Sequence, residues 1–178
     1  MTVRGLTRYL RDKAEAMRAT AKNNPDAASY LENISAVCVA DDLTGLRKIR
    51  IRDWEYLSDS GSEMGGWGLA PSSPEYLLGV ISSCLTHTVL IGASMQDVPL
   101  ERVEVHSSAK NNDAHFFGLA QDDPTYPWDI AVEIVVDAPE ADTEALDALR
   151  DYAERTCPVV RILRESQNVT LHSVIRTT

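Results

Sequence analysis

The chain has 178 residues, with 17 Lys+Arg against 27 Asp+Glu and a formal net charge of -10. Its 44% hydrophobic and 25% charged residues match the globular average, which excludes wholesale disorder and supplies a core for one domain, or one domain with an appendage. The acidic balance argues against nucleic acid as a partner, because neutralising phosphates takes a basic face.

The charge is unevenly spread. Residues 1–52 carry 10 Lys+Arg and 6 Asp+Glu, whereas residues 53–178 carry 7 and 21. An exposed basic helix at the start accounts for this, as would two chains pairing through opposite patches. Met1-Thr2-Val3-Arg4 leads into charged rather than apolar sequence, which predicts a cytoplasmic protein.

Residues 4–22 are predicted helical, with Leu6, Leu10, Ala14, Met17 and Ala21 forming a narrow apolar stripe. Asn23-Asn24-Pro25-Asp26 ends that helix, and a short helical turn is expected over 27–32. Residues 34–40 are β-like, 41–45 form a turn, and 46–57 continue as a strand carrying Ile49, Ile51, Trp54 and Tyr56. A glycine-rich loop follows at Gly65-Gly66-Trp67-Gly68; it lacks phosphate-loop spacing, and its glycines are expected to permit a tight chain crossing.

With Ser73 as N-cap and Pro74 in the first helical position, a long helix is predicted to about Ser94, apolar nearly all round. Ser82, Ser83, Thr86, His87 and Thr88 make it a buried core helix rather than a membrane span. Strands are predicted over 102–107, 116–120 and 130–136, helices over 141–154 and 159–164, and a closing strand over 169–175. Strands on either side of one buried helix define an α+β domain.

The chain's cysteines, Cys38, Cys84 and Cys157, are too scattered for a disulfide scaffold and show no zinc spacing. Burial inside the long helix would raise the Cys84 thiol pKa and leave it inert unless a cation arrives from elsewhere, Arg47, Lys48, Arg50 and Arg52 being candidates. Cys157 precedes Pro158 and is placed at a helix N-cap, where backbone N–H groups favour a thiolate. Cys84 and His87, at i and i+3, read as a thiolate–imidazolium pair, as half of a metal site, or more simply as a cysteine beside a hydrogen-bonded core histidine.

Gly65-Gly66, the run from Pro71 through Ser73-Pro74-Glu75-Tyr76-Leu77-Leu78-Gly79, the triplet Ser82-Ser83-Cys84 and the late Cys157-Pro158 together resemble the OsmC/Ohr family of thiol hydroperoxide reductases. The resemblance covers residues 34–178 and leaves 1–33 as an added N-terminal helical extension. It implies antiparallel sheets around a long buried central helix, in an intertwined homodimer with both cysteines near the subunit interface.

The resemblance also implies the chemistry. Cys84 would be the peroxidatic thiolate, Cys157 the resolving thiol, and Glu75 the residue holding an arginine near the sulfur, for which Arg52, or Arg50 beside it, is the choice. An organic hydroperoxide is then the substrate and an external dithiol, lipoyl compounds among the candidates, the reductant. No metal, haem or flavin is needed, and no membrane is involved. The alternatives are a non-catalytic OsmC-like dimer binding a small apolar or thiol ligand, and a metal enzyme built on Cys84 and His87. An apolar pocket of Leu77, Ile81, Leu85, Phe116 and Phe117 is expected beside Cys84.

Overall fold

A computed structural model describes residues 5–175 of the chain. Helix α1 (Gly5–Asn23) forms where its apolar stripe was read, and Leu10 and Ala14 are buried in the core. Thr7 donates to the Leu100 carbonyl, and Arg18 pairs with Asp97 at 3.5 Å, so the helix lies along the later part of the domain. Pro25 stops it, and Asp26 caps a single 3₁₀ turn, Ala27–Tyr30, by accepting from the Ala28 N–H.

Three strands follow as an antiparallel meander: β1 (Val37–Val39), β2 (Arg47–Ile51) and β3 (Trp54–Ser58). The continuous strand expected over 46–57 is thus a hairpin. Its two-residue loop is Arg52-Asp53, with Arg52 in the left-handed region at φ 54°. One face carries Ile49, Ile51, Trp54 and Tyr56, and the last three are exposed by 41%, 62% and 44%.

The sheet joins the rest through its end. Tyr76 donates to the Leu57 carbonyl, and the Asp59 N–H to that of Pro71. The buried Asp59 carboxylate accepts from the N–H groups of Ser60, Trp67 and Leu69 and so knots the glycine-rich loop. A Cβ at Gly66 would collide with the Ser60 carbonyl, which is the tight crossing the glycines were expected to allow.

Helix α2 (Ser73–Met95) is the axis of the core. Ser72, not Ser73, is its N-cap, and the Ser72 N–H and hydroxyl both donate to the Glu75 carboxylate at 2.7 and 2.8 Å. Ile81, Leu85, Val89 and Ala93 are buried. The helix is apolar and long enough to span a bilayer, but here it packs on α1, on β4 (Arg102–Lys110), on α3 (Thr143–Thr156) and on α4 (Pro158–Arg164).

Strand β4 pairs antiparallel with β5 (Trp128–Asp137) in a second sheet. Between them, residues 116–120 do not form the expected strand. Ala114–Phe117 is a 3₁₀ turn closed by Gly118 at φ 70°, because the Asn112 side chain accepts from the Ala114 N–H and starts a turn instead. Asp142 caps α3 through the Ala145 N–H. Residues 169–175 are not a strand either: Val169, Leu171, Val174 and Ile175 are exposed, and no described strand pairs with them.

Helices α2 and α3 cross closely at Gly92. A Cβ there would stand 2.6 Å from Tyr152 Cδ1 and 2.7 Å from Leu149 Cδ1. Gly92→Ala is therefore expected to destabilise the fold by about 1–3 kcal/mol, seen as a lower Tm. An unchanged Tm would mean that the crossing relaxes freely.

Candidate active site

Cys84 lies midway along α2 and is half-buried, while Cys157 is fully buried. Cys157 is at once the C-cap of α3 and the N-cap of α4: its N–H donates to the Ala153 carbonyl and its own carbonyl accepts from the Arg161 N–H. Pro158 follows in the first position of α4, as the sequence indicated. Both cysteines are free thiols.

The fold brings them together. The Cys84 sulfur has the Cys157 thiol and the Val159 backbone N–H as neighbours, and the Thr88 hydroxyl beside it. The amide expected to serve Cys157 at the start of α4 is thus directed at Cys84. Burial pushes the Cys84 thiol above its ordinary range, and the adjacent Cys157 thiol pushes it further. The Val159 N–H and the Thr88 hydroxyl act in the opposite direction without overcoming this. Among the described residues, no arginine or glutamate is a cause of this shift.

The other site residues named from the sequence lie elsewhere. Arg52 is in the β2–β3 turn, and Arg50 stands opposite Glu55 in the sheet. Glu75 is engaged with Ser72, which holds its carboxyl below the usual range. Glu75 precedes Cys84 by about 13 Å along the helix axis, at 1.5 Å per residue, so the two cannot meet within one chain.

Glu75 does share a cleft of about 940 Å³ with Arg47, Asp59, Asn111, Asp113 and Phe116. There Arg47 donates to Ser58 Oγ at 3.1 Å, Ser60 Oγ at 3.3 Å and the Asp59 carbonyl at 2.5 Å. Arg47, rather than Arg50 or Arg52, is thus the arginine on the glutamate's side of the molecule. A serine directly across the ladder (Ser58), followed by Asp59 and Ser60, was the signal that singled it out from its neighbours.

The expected apolar pocket is redistributed. Ile81 is inside the core, Leu77 packs against it, Phe116 lines the Arg47 cleft and Phe117 is exposed. Leu85 instead lines a separate groove of about 440 Å³ with Val89, Ile134, Val136, Leu149 and Val160. Arg150 and Arg164 at its rim are each paired with acidic neighbours. His87 is not a core histidine: it is exposed, and no described side chain bonds to it. Among the described residues, no group of three or more His, Cys, Asp or Glu is placed to hold a metal ion.

Residues 65–172, more than half of the chain, match the family model for OsmC-like protein, and the chain belongs to that family. Solved structures share the fold. An OsmC-like protein from Mycoplasma pneumoniae superposes with a TM-score of 0.61 at 12% identity, covering 75% of this chain and 88% of its own. The organic hydroperoxide resistance protein OsmC from Legionella pneumophila gives 0.54 at 17% identity, covering 75% and 90%. An OsmC-like protein of unknown function from Vibrio cholerae gives 0.54 at 12% identity, covering 74% and 93%. Among curated proteins, none matches the sequence.

The raised Cys84 thiol has a consequence for stability. The folded chain holds this proton more tightly than the unfolded chain, so stability falls as pH rises from the ordinary thiol range through the folded value. Cys84→Ser should flatten that alkaline limb in denaturant titrations. A limb of the same steepness in the variant would place its origin elsewhere.

Proposed function

We propose that the chain is a cysteine-based peroxidase that reduces organic hydroperoxides. The observation that carries this reading is the meeting of Cys84 and Cys157, with the Val159 N–H directed at the Cys84 sulfur. The family and the hydroperoxide resistance protein among its structural neighbours support a peroxide-related role.

The Cys84 thiolate attacks the terminal oxygen of ROOH and the O–O bond breaks. The sulfur takes the OH as a sulfenic acid, and the alkoxide takes a proton and leaves as ROH. The Cys157 thiol then displaces water to form a Cys84–Cys157 disulfide, which an external dithiol reduces by exchange. The setting is the reducing cytoplasm, where such a dithiol persists.

A cation still has to reach the sulfur. In this reading a second copy supplies it, because Arg47 and Glu75 share a cleft that their own Cys84 cannot enter. The exposed Ile51, Trp54 and Tyr56 face supports a homodimer that buries it. A second reading, a non-catalytic dimer holding a small apolar or thiol ligand, draws on the aliphatic groove beside Leu85 and the raised Cys84 thiol.

With cumene hydroperoxide and dihydrolipoamide, Cys84→Ser should abolish turnover, while Cys157→Ser should allow the first oxidation and stop recycling. Full activity in Cys84→Ser would remove the peroxidase reading. Mixing tests the shared site: Arg47→Ala and Cys84→Ser chains, each inactive alone, should regain about a quarter of wild-type activity when refolded together, since half the dimers then hold one intact site. No recovery, with both variants folded, would place the whole site within one chain.

A further inference from the structure

We propose that His87 is a further catalytic residue of the Cys84 site, accepting the thiol proton and returning it to the leaving alkoxide. The inference rests on Cys84 being the peroxidatic thiol and adds a residue with no part in the reading above.

The placement follows from the helix. On α2, His87 is three residues after Cys84, which puts their Cβ atoms about 5–6 Å apart. On the helical wheel Val80, Ser83 and His87 fall on one side of Cys84, while Ile81, Leu85 and Thr88 fall on the other. The first set is open, with Val80 49% exposed and Ser83 and His87 also exposed; the second is buried. The protein-facing side of the sulfur is taken by Cys157, the Val159 N–H and Thr88, so a peroxide approaches from the open side, where His87 stands.

The imidazole is uncommitted. No described side chain hydrogen-bonds or ion-pairs with it, whereas His106 is bound to Glu104 at 2.9 Å. Several cations on the elements packed against α2 are engaged elsewhere. On α1, Arg8 and Arg18 pair with Asp12 and Asp97. On α3, Arg150 pairs with Asp147 and Asp151; on α4, Arg161 and Arg164 pair with Glu165 and Glu154. On β4, Arg102 pairs with Glu104 and Asp137, and Lys110 with Asp129. On α2 itself, His87 is the titratable side chain within one turn of Cys84.

The chemistry needs such a group twice. A thiol whose proton is held tightly must lose it before attack, and the alkoxide formed on O–O cleavage must gain one. Proton transfer from Cys84 to His87 gives thiolate and imidazolium. Attack on the terminal oxygen then gives sulfenic acid and alkoxide, and the imidazolium proton completes the alcohol. An imidazole can accept a proton in the first step and donate it in the second, directly or through one water.

Two readouts on the full chain test this. The first is the rate of Cys84 alkylation by iodoacetamide across about pH 5–9, which requires no peroxide chemistry. Wild type should show a pH-dependent limb that His87→Gln lacks. The second is sulfenate formation with tert-butyl hydroperoxide, which His87→Gln should slow by about 100-fold with an unchanged Tm. Added imidazole should restore part of that rate in His87→Ala. Identical pH profiles, or a His87→Gln rate equal to wild type, would overturn the proposal. If peroxide leaves the wild-type thiols unoxidised while the alkylation limb still depends on His87, the peroxidase reading fails and the proton pairing stands.

Discussion

The site depends on how closely α3 can cross α2. At Gly92 no side chain stands between them, so that Leu149 and Tyr152 lie against the helix backbone. The end of α3 is then fixed at the level of Cys84. Because Ala153 is fully buried and Cys157 follows it one turn later, the second cysteine arrives inside the core rather than on the surface. Pro158 turns the chain at once into α4, and the first free amide after it, that of Val159, is brought to the Cys84 sulfur. Packing at a position two turns away thus sets the separation of the thiols.

The same packing creates a conflict. A thiol half-enclosed by an apolar helix bundle loses hydration, which disfavours the thiolate, and a neighbouring thiol adds to that. One amide dipole does not offset it. The fold answers with openness on the other side of the helix, where Val80, Ser83 and His87 leave the sulfur approachable, and with an unpartnered aromatic sheet face on the same chain. Cys157 is enclosed, while Cys84 keeps one open side. Arg47 is held by two serines and a carbonyl in the cleft it shares with Glu75.

Much of this was legible in the sequence, for identifiable reasons. Pro74 with Glu75 marked the start of α2 to within one residue, and Cys157-Pro158 marked the α3–α4 junction, because proline and capping residues act locally. The hairpin within 46–57 was hidden because its turn uses Arg52-Asp53, with no glycine or asparagine to announce a left-handed residue. Phe116 and Phe117 are good strand formers, but the Asn112 side chain and Gly118 impose a turn that propensity does not see. The place of Arg47 was hidden for a related reason: only the hairpin, which turns at Arg52, sets Arg47 opposite Ser58 and in the cleft with Glu75. His87 looked like a core residue because the helix around it is so apolar. Which side of that helix stays open is decided by α1, α3, α4 and β4, and no local pattern reports it.

The central claim is that Cys84 and Cys157 form one redox pair. Its most direct measurement is intact mass and free-thiol count after one equivalent of an organic hydroperoxide, followed by a non-reduced peptide map. The account predicts the loss of two thiols per chain, with the peptide of Cys84 linked to that of Cys157 and Cys38 still free. Survival of all three thiols, or a crosslink that involves Cys38, would contradict it.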